Sequence, residues 1–260
     1  MGGSWSGSQD DCWEYCFGKE QEVALRLAGI VEELNADGVD IDYEYFYEDN
    51  QNGSGFSRGE EAQTFLTEIT RHLREALPAN SLLTHTPMDA DLLPGTAYFE
   101  LLKGISNDLD FIMPQYYNGI TRPITDGIGN AGPGRSSALV LYQIAVNDIF
   151  GGDPTRVVFG FCINACSSTS SNASGQEAAT VLRDLSSTYP CHGGAFFWAA
   201  DDDSSGSWSS VANQAISESC SSDTFCGHDW IHATTCVRPC PRGLDSECPG
   251  NLKCFSGIDC

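Results

Sequence analysis

The chain has 260 residues, a formal net charge of −23 at pH 7 and a sequence pI near 4.2. This acidity argues against nucleic acid or an anionic membrane as partner, because both require a basic protein surface. No apolar run approaches the roughly 18 residues of a membrane span. A neutral polysaccharide is compatible with the charge, and the length fits one large domain with or without a small appendage.

The twelve cysteines divide the chain into two predicted regions. Six of them crowd the C-terminal end with few large apolar residues between them, which predicts a disulfide-stapled module at 221–260 after a main domain at 1–220. These six are Cys226, Cys236, Cys240, Cys248, Cys254 and Cys260. His228 and His232 lie among them, but pairing between cysteines is expected rather than zinc binding, and no metal site or cofactor is predicted.

The remaining cysteines make the total even, which is consistent with full pairing in an oxidising compartment and predicts a secreted protein. They are Cys12, Cys16, Cys162, Cys166, Cys191 and Cys220. The sequons at Asn52 and Asn172 fit that compartment. No signal peptide is visible, so we expect a missing front end, and we take the match of the first six residues to the N-myristoylation pattern as accidental.

Helical and strand patterns alternate along the main domain. Apolar residues recur at the helical period in six segments, 23–34, 62–77, 98–102, 137–148, 178–185 and 209–217. Five strands are predicted near residue 39 and at 82–86, 109–117, 157–162 and 194–198. This alternation predicts a parallel sheet wrapped by helices, of which the eight-fold barrel is the commonest large form.

Three carboxylates follow the first strand pattern with a spacing of two. Alternation of side chains in a strand places Asp40, Asp42 and Glu44 on one face, with neighbours roughly 6 to 7 Å apart. Like charges at this distance should raise the pKa of at least one carboxyl, which suits acid catalysis. Calcium loops also space acids in this way, but the apolar, β-branched Val39 and Ile41 favour a strand.

Two clusters resemble a known family. Asp37-x-x-Asp40-x-Asp42-x-Glu44, with Gly38 inside it and Tyr45 after it, resembles the signature of glycoside hydrolase family 18 (GH18), the chitinases and their relatives. The stretch Met113-Pro114-Gln115-Tyr116-Tyr117-Asn118 resembles the sixth-strand sequence of the same family, especially that of plant class III chitinases. The resemblance implies an α/β fold, the TIM (β/α)8 barrel.

The resemblance also implies a role for each site residue. Glu44 would be the general acid, Asp42 would bind the acetamido nitrogen, and Asp40 would share a proton with Asp42. Tyr117 would hydrogen-bond the attacking carbonyl oxygen. Gln115, Asn118 and Met113 would bind substrate, with Trp198 as the floor of the cleavage subsite. Asp37 differs in parity from the other acids and is expected to be structural.

By the same resemblance the barrel is incomplete. Gly2-Gly3 followed by Ser4-Trp5 is similar to the end of the third barrel strand, which would make the acidic strand the fourth. The first two strands would then be absent, and we expect a truncated chain with open sheet edges and exposed apolar helix faces. Either a longer N-terminal region or a partner would fill the gap.

The predicted function is hydrolysis of β-1,4 bonds between N-acetylglucosamine units of chitin by a secreted monomer, through substrate-assisted retaining catalysis. Three alternatives stay open: an endo-β-N-acetylglucosaminidase acting on N-glycans, a non-catalytic chitin-binding lectin, and an inactive fragment. The pattern Gly55-x-Ser57-x-Gly59 lies in a polar loop without a preceding strand, so a serine hydrolase is not predicted.

Overall fold

The computed structural model describes residues 13–44 and 60–219. Two compact units divide the chain: the first comprises residues up to Gln115 together with Gln143–Gly152, and the second comprises Tyr116–Tyr142 and the residues from Asp153 onward. No helix within the described ranges has the length and apolar character needed to cross a membrane. The predicted Cys-rich module at 221–260, the glycines at the N-terminus and the serine of the Gly-x-Ser-x-Gly pattern lie outside the described residues.

The first unit contains a three-stranded parallel sheet. Its strands are β1 (Gly38–Ile41), β2 (Leu82–His85) and β3 (Phe111–Ile112), in the order β1-β2-β3. Asp40 pairs in register with Thr84, and Thr84 with Phe111. Gly38 is required at the start of β1, because a Cβ there would overlap the backbone of Leu82.

Three α-helices of the first unit lie in the segments predicted to be helical. They are α1 (Glu20–Leu34), α2 (Glu60–Ala76) and α3 (Ala97–Ile105). The apolar face of α2 is buried through Ala62, Phe65, Leu66, Ile69 and Leu73. Helix α1 exposes Leu25, Ile30 and Leu34, which agrees with the expected exposed apolar helix face. The predicted truncation itself stays a prediction.

A buried histidine fixes α2 and α3 against β2. The Thr70 hydroxyl donates to the Leu66 carbonyl oxygen at 2.7 Å, so it accepts from His85 Nε2, 2.9 Å away. His85 Nδ1 is then an acceptor for the Tyr98 hydroxyl at 2.8 Å. Burial lowers the pKa of His85 to about 3, so the ring is neutral in this network.

The second unit pairs two parallel strands, β4 (Phe159–Cys162) and β5 (Ala195–Trp198), with Phe159 opposite Ala195 and Cys162 opposite Trp198. Its helices include α4 (Pro123–Asp126), α6 (Gly175–Thr188) and α7 (Ser207–Ser219). Helix α6 begins with a capping box in which the Ser174 hydroxyl and the Glu177 carboxylate satisfy each other's backbone N–H groups.

Aromatic packing builds the core of the second unit. Tyr116 stacks on Phe159 with ring centroids 4.2 Å apart, and the Trp208 ring lies 4.8 Å from that of Phe197. The Trp208 indole N–H donates to the carbonyl oxygen of Ala173 at 2.9 Å. This hydrogen bond satisfies the polar end of a buried indole.

All five predicted strands are confirmed, but two elements differ from expectation. The ladder of β3 is much shorter than the predicted strand at 109–117, because Pro114 has no N–H to donate to a ladder. The predicted helix at 137–148 is α-helical over α5 (Ala138–Ile144) and continues as a π-helical turn over Ala145–Ile149.

The cysteines are paired in part. Cys162 and Cys166 form a disulfide, and Cys191 is also disulfide-bonded. Cys16 is free, so the expectation of complete pairing does not hold for it. It ends a single 3-10 turn at Trp13–Cys16, and burial raises the pKa of its thiol.

Candidate active site

The three acids follow the geometry predicted for a strand. Asp40 lies in β1, and Asp42 and Glu44 follow the carboxyl end of that strand. Ile41 and Tyr43 are completely buried between them, whereas the three acids are each half-buried. This alternation confirms that the acids share one face, and it places them where enzymes built on parallel α/β folds position reactive groups.

Two threonines of the neighbouring strand segment hold Asp40. The Thr84 hydroxyl donates to Asp40 Oδ1 at 2.7 Å, and the Thr86 hydroxyl lies 2.9 Å from both carboxyl oxygens. Thr84 and Thr86 are two residues apart, so they face the same side of the sheet as Asp40. Two hydroxyl donors therefore fix the Asp40 carboxyl group.

Gln115 joins the other two acids. Its side-chain nitrogen Nε2 donates to Asp42 Oδ1 at 3.1 Å and to Glu44 Oε1 at 3.0 Å. The residue is only 6% exposed, and its backbone N–H donates to the Pro87 carbonyl oxygen at 2.9 Å. A buried, anchored amide thus bridges two carboxyl groups of the acidic face.

One of these carboxyls holds its proton near neutral pH. Burial raises the pKa of Asp42 from 3.8 to about 7, and the charges of Glu44 and Asp40 and a hydrogen bond with Glu44 act in the same direction. Burial also raises the pKa of Asp40, against the lowering effect of the hydrogen bonds from Thr84 and Thr86. The raised pKa expected from the spacing is confirmed, and the structure assigns it to Asp42 and Asp40.

The arrangement can exchange a proton with a bound ligand. Asp42 and Glu44 both accept from the side-chain nitrogen of Gln115, which places the two carboxyls next to each other, so a proton held by Asp42 can move to Glu44 without passing through solvent. A carboxyl that gains a proton in this way can donate it to an ether or glycosidic oxygen and later act as a base toward water. The same pair can therefore act first as acid and then as base.

Two further residues of the sequence motifs belong to this unit. The backbone N–H of Met113 donates to the His85 carbonyl oxygen at 2.8 Å, which holds the residue at the carboxyl end of β3. Asp37 precedes β1 with an exposed side chain, and its carbonyl oxygen accepts from the Leu82 N–H at 2.8 Å. Asp37 therefore contributes to the sheet through a backbone hydrogen bond to the start of β2.

Tyr117 and Asn118 belong to the second unit. Tyr117 is 7% exposed and forms a buried cluster with the disulfide of Cys162 and Cys166. Asn118 has a positive φ of 61°, and its side chain contacts Cys166 Sγ at 3.2 Å. The tyrosine of the motif is therefore enclosed by packing, whereas the asparagine that follows it is exposed.

Trp198 ends β5 and is 55% exposed. Its carbonyl oxygen accepts from the Ile163 N–H at 2.8 Å, and the peptide bond from Trp198 to Ala199 is cis. An indole with more than half of its surface in solvent offers an apolar face to a ligand, for which stacking on a sugar ring is a suitable use.

Two sets of supporting residues were not predicted. Thr84 and Thr86 sit at the end of the predicted second strand, and their spacing of two is the signal that could have identified them as partners of Asp40. The disulfide between Cys162 and Cys166 could have been suspected from its position after a strand, but the spacing alone does not select a partner.

Neither a protein-family model nor a curated protein matches the sequence. Solved structures do. A GH18 chitinase from Pseudoalteromonas aurantia is 19% identical with a TM-score of 0.63, over 82% of this chain and 74% of that one. A GH18 chitinase from Cycas revoluta, in complex with (GlcNAc)3, is 16% identical with a TM-score of 0.53, over 82% and 78%.

A third similar structure is that of an enzyme with a different activity. It is a fungal endo-β-N-acetylglucosaminidase of family 18, 18% identical with a TM-score of 0.50, over 83% of this chain and 68% of that one. At these identities the likeness concerns the fold. The chain therefore has a GH18 chitinase-like fold, which is TIM-barrel-like.

Proposed function

We propose that this chain, whose fold is that of the GH18 chitinases, is a glycoside hydrolase that cleaves β-1,4 bonds between N-acetylglucosamine units of chitin. The observation that carries the proposal is the proton-holding pair of Asp42 and Glu44, bridged by Gln115 at the carboxyl end of β1. Similar folds host different functions, so the proposal depends on this site and takes support from the fold.

In the proposed reaction, binding of the substrate moves a proton from Asp42 to Glu44. The acetamido N–H of the bound sugar donates to Asp42, which favours the charged form of that carboxyl and shifts its proton to Glu44. Glu44 then protonates the glycosidic oxygen while the acetamido carbonyl oxygen attacks the anomeric carbon. The bond to the leaving sugar breaks, and an oxazolinium ion forms next to the charged Asp42.

The second half of the reaction returns a proton to Glu44, and this proton moves back to Asp42 when the product leaves. Glu44, now a carboxylate, takes a proton from water as that water attacks the anomeric carbon and opens the oxazolinium ring. Two displacements at one carbon give net retention of configuration. Asp40, held by Thr84 and Thr86, stabilises the protonated form of Asp42 through its charge.

The proposal keeps the roles that the family resemblance implies for the second unit. The Tyr117 hydroxyl would hydrogen-bond the attacking carbonyl oxygen, Asn118 would bind the same sugar, and Trp198 would stack on its ring. The 55% exposure of Trp198 supports a stacking role. Met113 remains a candidate for substrate binding at the end of β3.

The proposal includes secretion and action as a monomer. The disulfide of Cys162 with Cys166 and the bonded state of Cys191 support an oxidising compartment. Cleavage of N-glycans is the second candidate, favoured by the likeness to the fungal endo-β-N-acetylglucosaminidase. The presence of Glu44 in contact with Gln115 and Asp42 favours either hydrolase over a lectin.

Hydrolysis of a chromogenic chito-oligosaccharide tests the proposal. We expect turnover by the full chain and a loss of about 10²- to 10⁴-fold in kcat for Glu44→Gln, which keeps the shape but removes the proton. Glu68→Gln, on the exposed face of α2, is the matched control and should keep full activity. Release of an N-glycan without turnover of the chito-oligosaccharide would replace chitin as the substrate, and chitin binding without any hydrolysis would identify a lectin.

A further inference from the structure

A disulfide encloses the tyrosine of the second unit. The bridge between Cys162 and Cys166 starts at the carboxyl end of β4, and its two cysteines are 0% and 1% exposed. Tyr117 completes this buried cluster, and Phe196 packs against it with its ring centroid 6.4 Å from that of Tyr117. The ring of Tyr117 is therefore confined by the disulfide on one side and by an aromatic ring of β5 on another.

Asn118, the next residue, is tied to the segment that begins at the disulfide. Its side-chain nitrogen Nδ2 donates to Cys166 Sγ at 3.2 Å, and its Oδ1 accepts from the Thr169 hydroxyl at 2.6 Å. Its backbone N–H donates to Ser171 Oγ at 3.2 Å. Both ends of the side-chain amide and the backbone of one residue are thus engaged by residues 166–171.

Hydrogen bonds hold both ends of the segment 166–171. The Cys166 N–H donates to Asn172 Oδ1 at 2.7 Å, and the Ala173 N–H donates to the Cys162 carbonyl oxygen at 2.8 Å. The Ser171 N–H donates to the Cys166 carbonyl oxygen at 3.0 Å. The disulfide closes the remaining side of this loop, so Cys166, the partner of Asn118, is held covalently to β4.

These contacts fix the backbone immediately after Tyr117. Asn118 has φ of 61°, in the left-handed region that asparagine tolerates better than most residues but that still requires support from its surroundings. Its three hydrogen bonds to Cys166, Thr169 and Ser171 provide that support. Without them the chain leaving Tyr117 can relax toward negative φ, and the tyrosine ring shifts with it.

We infer that the disulfide of Cys162 and Cys166 is a positioning element that holds Tyr117, through Asn118, in the orientation required for catalysis. The inference rests on the proposed function, in which the Tyr117 hydroxyl contacts the reacting acetamido carbonyl. The cysteines touch no reacting atom in this scheme. They act by limiting where the tyrosine hydroxyl can lie.

The variant Cys162→Ala with Cys166→Ala tests the inference through kinetics. A displacement of about 1 Å at a reacting group can cost on the order of 10²-fold in rate, so we expect kcat on the chito-oligosaccharide to fall about 10- to 100-fold with a smaller change in KM. Should this variant not fold, Cys162→Val with Cys166→Ala places an apolar residue that favours strands in β4 and should give the same result. Cys16→Ala removes a free thiol of the first unit and should leave both constants unchanged.

A double-mutant cycle with Tyr117→Phe separates positioning from general damage. If the disulfide acts through the tyrosine hydroxyl, its removal should lower kcat far less in the Tyr117→Phe background than in the wild type. Equal losses in both backgrounds would overturn the inference, because the cysteines would then contribute independently of the hydroxyl.

Hydrogen exchange provides a readout that does not depend on activity. The Asn118 N–H is protected by Ser171, so removing the disulfide should accelerate exchange in the peptide that contains residues 116–119, whereas Cys16→Ala should not. Unchanged exchange would refute the inference even if the wild type is active. A different outcome is accelerated exchange in the variant together with a wild type that hydrolyses no glycan. This result would support the positioning of Tyr117 by the disulfide and would refute the proposed hydrolase activity.

Discussion

The side-chain nitrogen of Gln115 lies 3.0 Å from Glu44 Oε1, and it donates to Asp42 Oδ1 as well. An amide NH2 group carries two hydrogens, and the same nitrogen also lies 3.4 Å from the Thr86 carbonyl oxygen, so three acceptors surround its two hydrogens. Both contacted oxygens act as acceptors, which the oxygens of a charged or a protonated carboxyl can do. Gln115, predicted as a substrate-binding residue, has its donors engaged by the acids themselves.

Gln115→Glu should make the activity strongly dependent on pH. The change preserves shape but replaces a donor with a third acid beside Asp42 and Glu44, and charge-assisted hydrogen bonds of this kind are worth about 1.5–3 kcal/mol. We expect kcat at pH 7 to fall by about 10- to 100-fold. As the pH decreases, the introduced carboxyl gains a proton and can donate again, so part of the activity should return.

The pH–rate profiles of the wild type and of Gln115→Glu, measured with the chito-oligosaccharide, check this expectation. Gln63→Glu is a matched control, because Gln63 is half-buried in α2 and donates to the Ala97 carbonyl oxygen at 2.9 Å, away from the acids. Its profile should keep the wild-type shape. Parallel profiles for Gln115→Glu and the wild type would show that Gln115 does not govern the proton of the pair.

Asp42 should make the wild type less stable as the pH rises. Its pKa is about 7 in the folded state and 3.8 ordinarily, so between these values the folded chain holds a proton that the unfolded chain has lost. The stabilisation from this group is complete below about pH 3.8 and is lost as the pH rises through about 7. The slope should be smaller than about 1.4 kcal/mol per pH unit, because solvent screens a partly exposed carboxyl.

Asp42→Asn removes this titration, so urea unfolding of both proteins from pH 4 to 8 isolates it. The stability of the wild type relative to Asp42→Asn should decrease across this range and level off above about pH 7. Glu177→Gln serves as a control, since hydrogen bonds from Ser174 lower the pKa of Glu177 from 4.5, so its contribution is lost only as the pH falls below that value and should be constant over most of this range. A difference between wild type and Asp42→Asn that is constant with pH would contradict the assignment.

The acidic strand was predictable because one short pattern carries both its structure and its chemistry. Val39 and Ile41 alternate with the acids, and alternation is a local property of the sequence. The positions of the other strands follow in the same way from short apolar runs. The repulsion that raises the pKa of Asp42 follows from spacing alone, although burial is the larger cause.

A single sequence could not predict the register between neighbouring strands, the hydrogen-bond partners across them or the pairing of the cysteines. The hydrogen bonds of Thr84 and Thr86 to Asp40 depend on Asp40 lying opposite Thr84, and no local signal sets that pairing. The pairing of Cys162 with Cys166 depends in the same way on how the chain turns after β4. Gln115 was identified through the family resemblance, but its contact with Glu44 required the geometry.

The length of the third predicted strand was wrong for a local reason. Apolar residues continue from Leu109 to Tyr117, yet only Phe111–Ile112 forms a ladder. Pro114 cannot donate, so the ladder is interrupted there, and beyond it Gln115 forms only an isolated parallel bridge with Met88. Pairing after Pro114 is therefore limited to one bridge, at the residue whose side chain contacts Asp42 and Glu44.

Asp110→Ala should destabilise the first unit without changing the catalytic rate constant. Asp110 Oδ2 accepts from Arg74 Nη2 at 2.7 Å and from the Leu83 N–H at 2.6 Å, and the paired side chains are only 29% and 20% exposed. Removing the carboxylate leaves a strand N–H and a half-buried guanidinium without this acceptor, at a cost of about 2–3 kcal/mol.

The exposed pair of Arg71 and Glu68 provides the comparison. Its atoms are 3.0 Å apart, but the side chains are 50% and 41% exposed, so Glu68→Ala should cost less than about 0.5 kcal/mol. Urea unfolding with an unchanged m value measures both losses. Asp110 precedes β3 whereas Gln115 follows it, so kcat measured well below the unfolding temperature should equal that of the wild type. Equal losses of stability for the two variants would show that the partly buried Asp110 carboxylate does not hold α2 against β2 and β3.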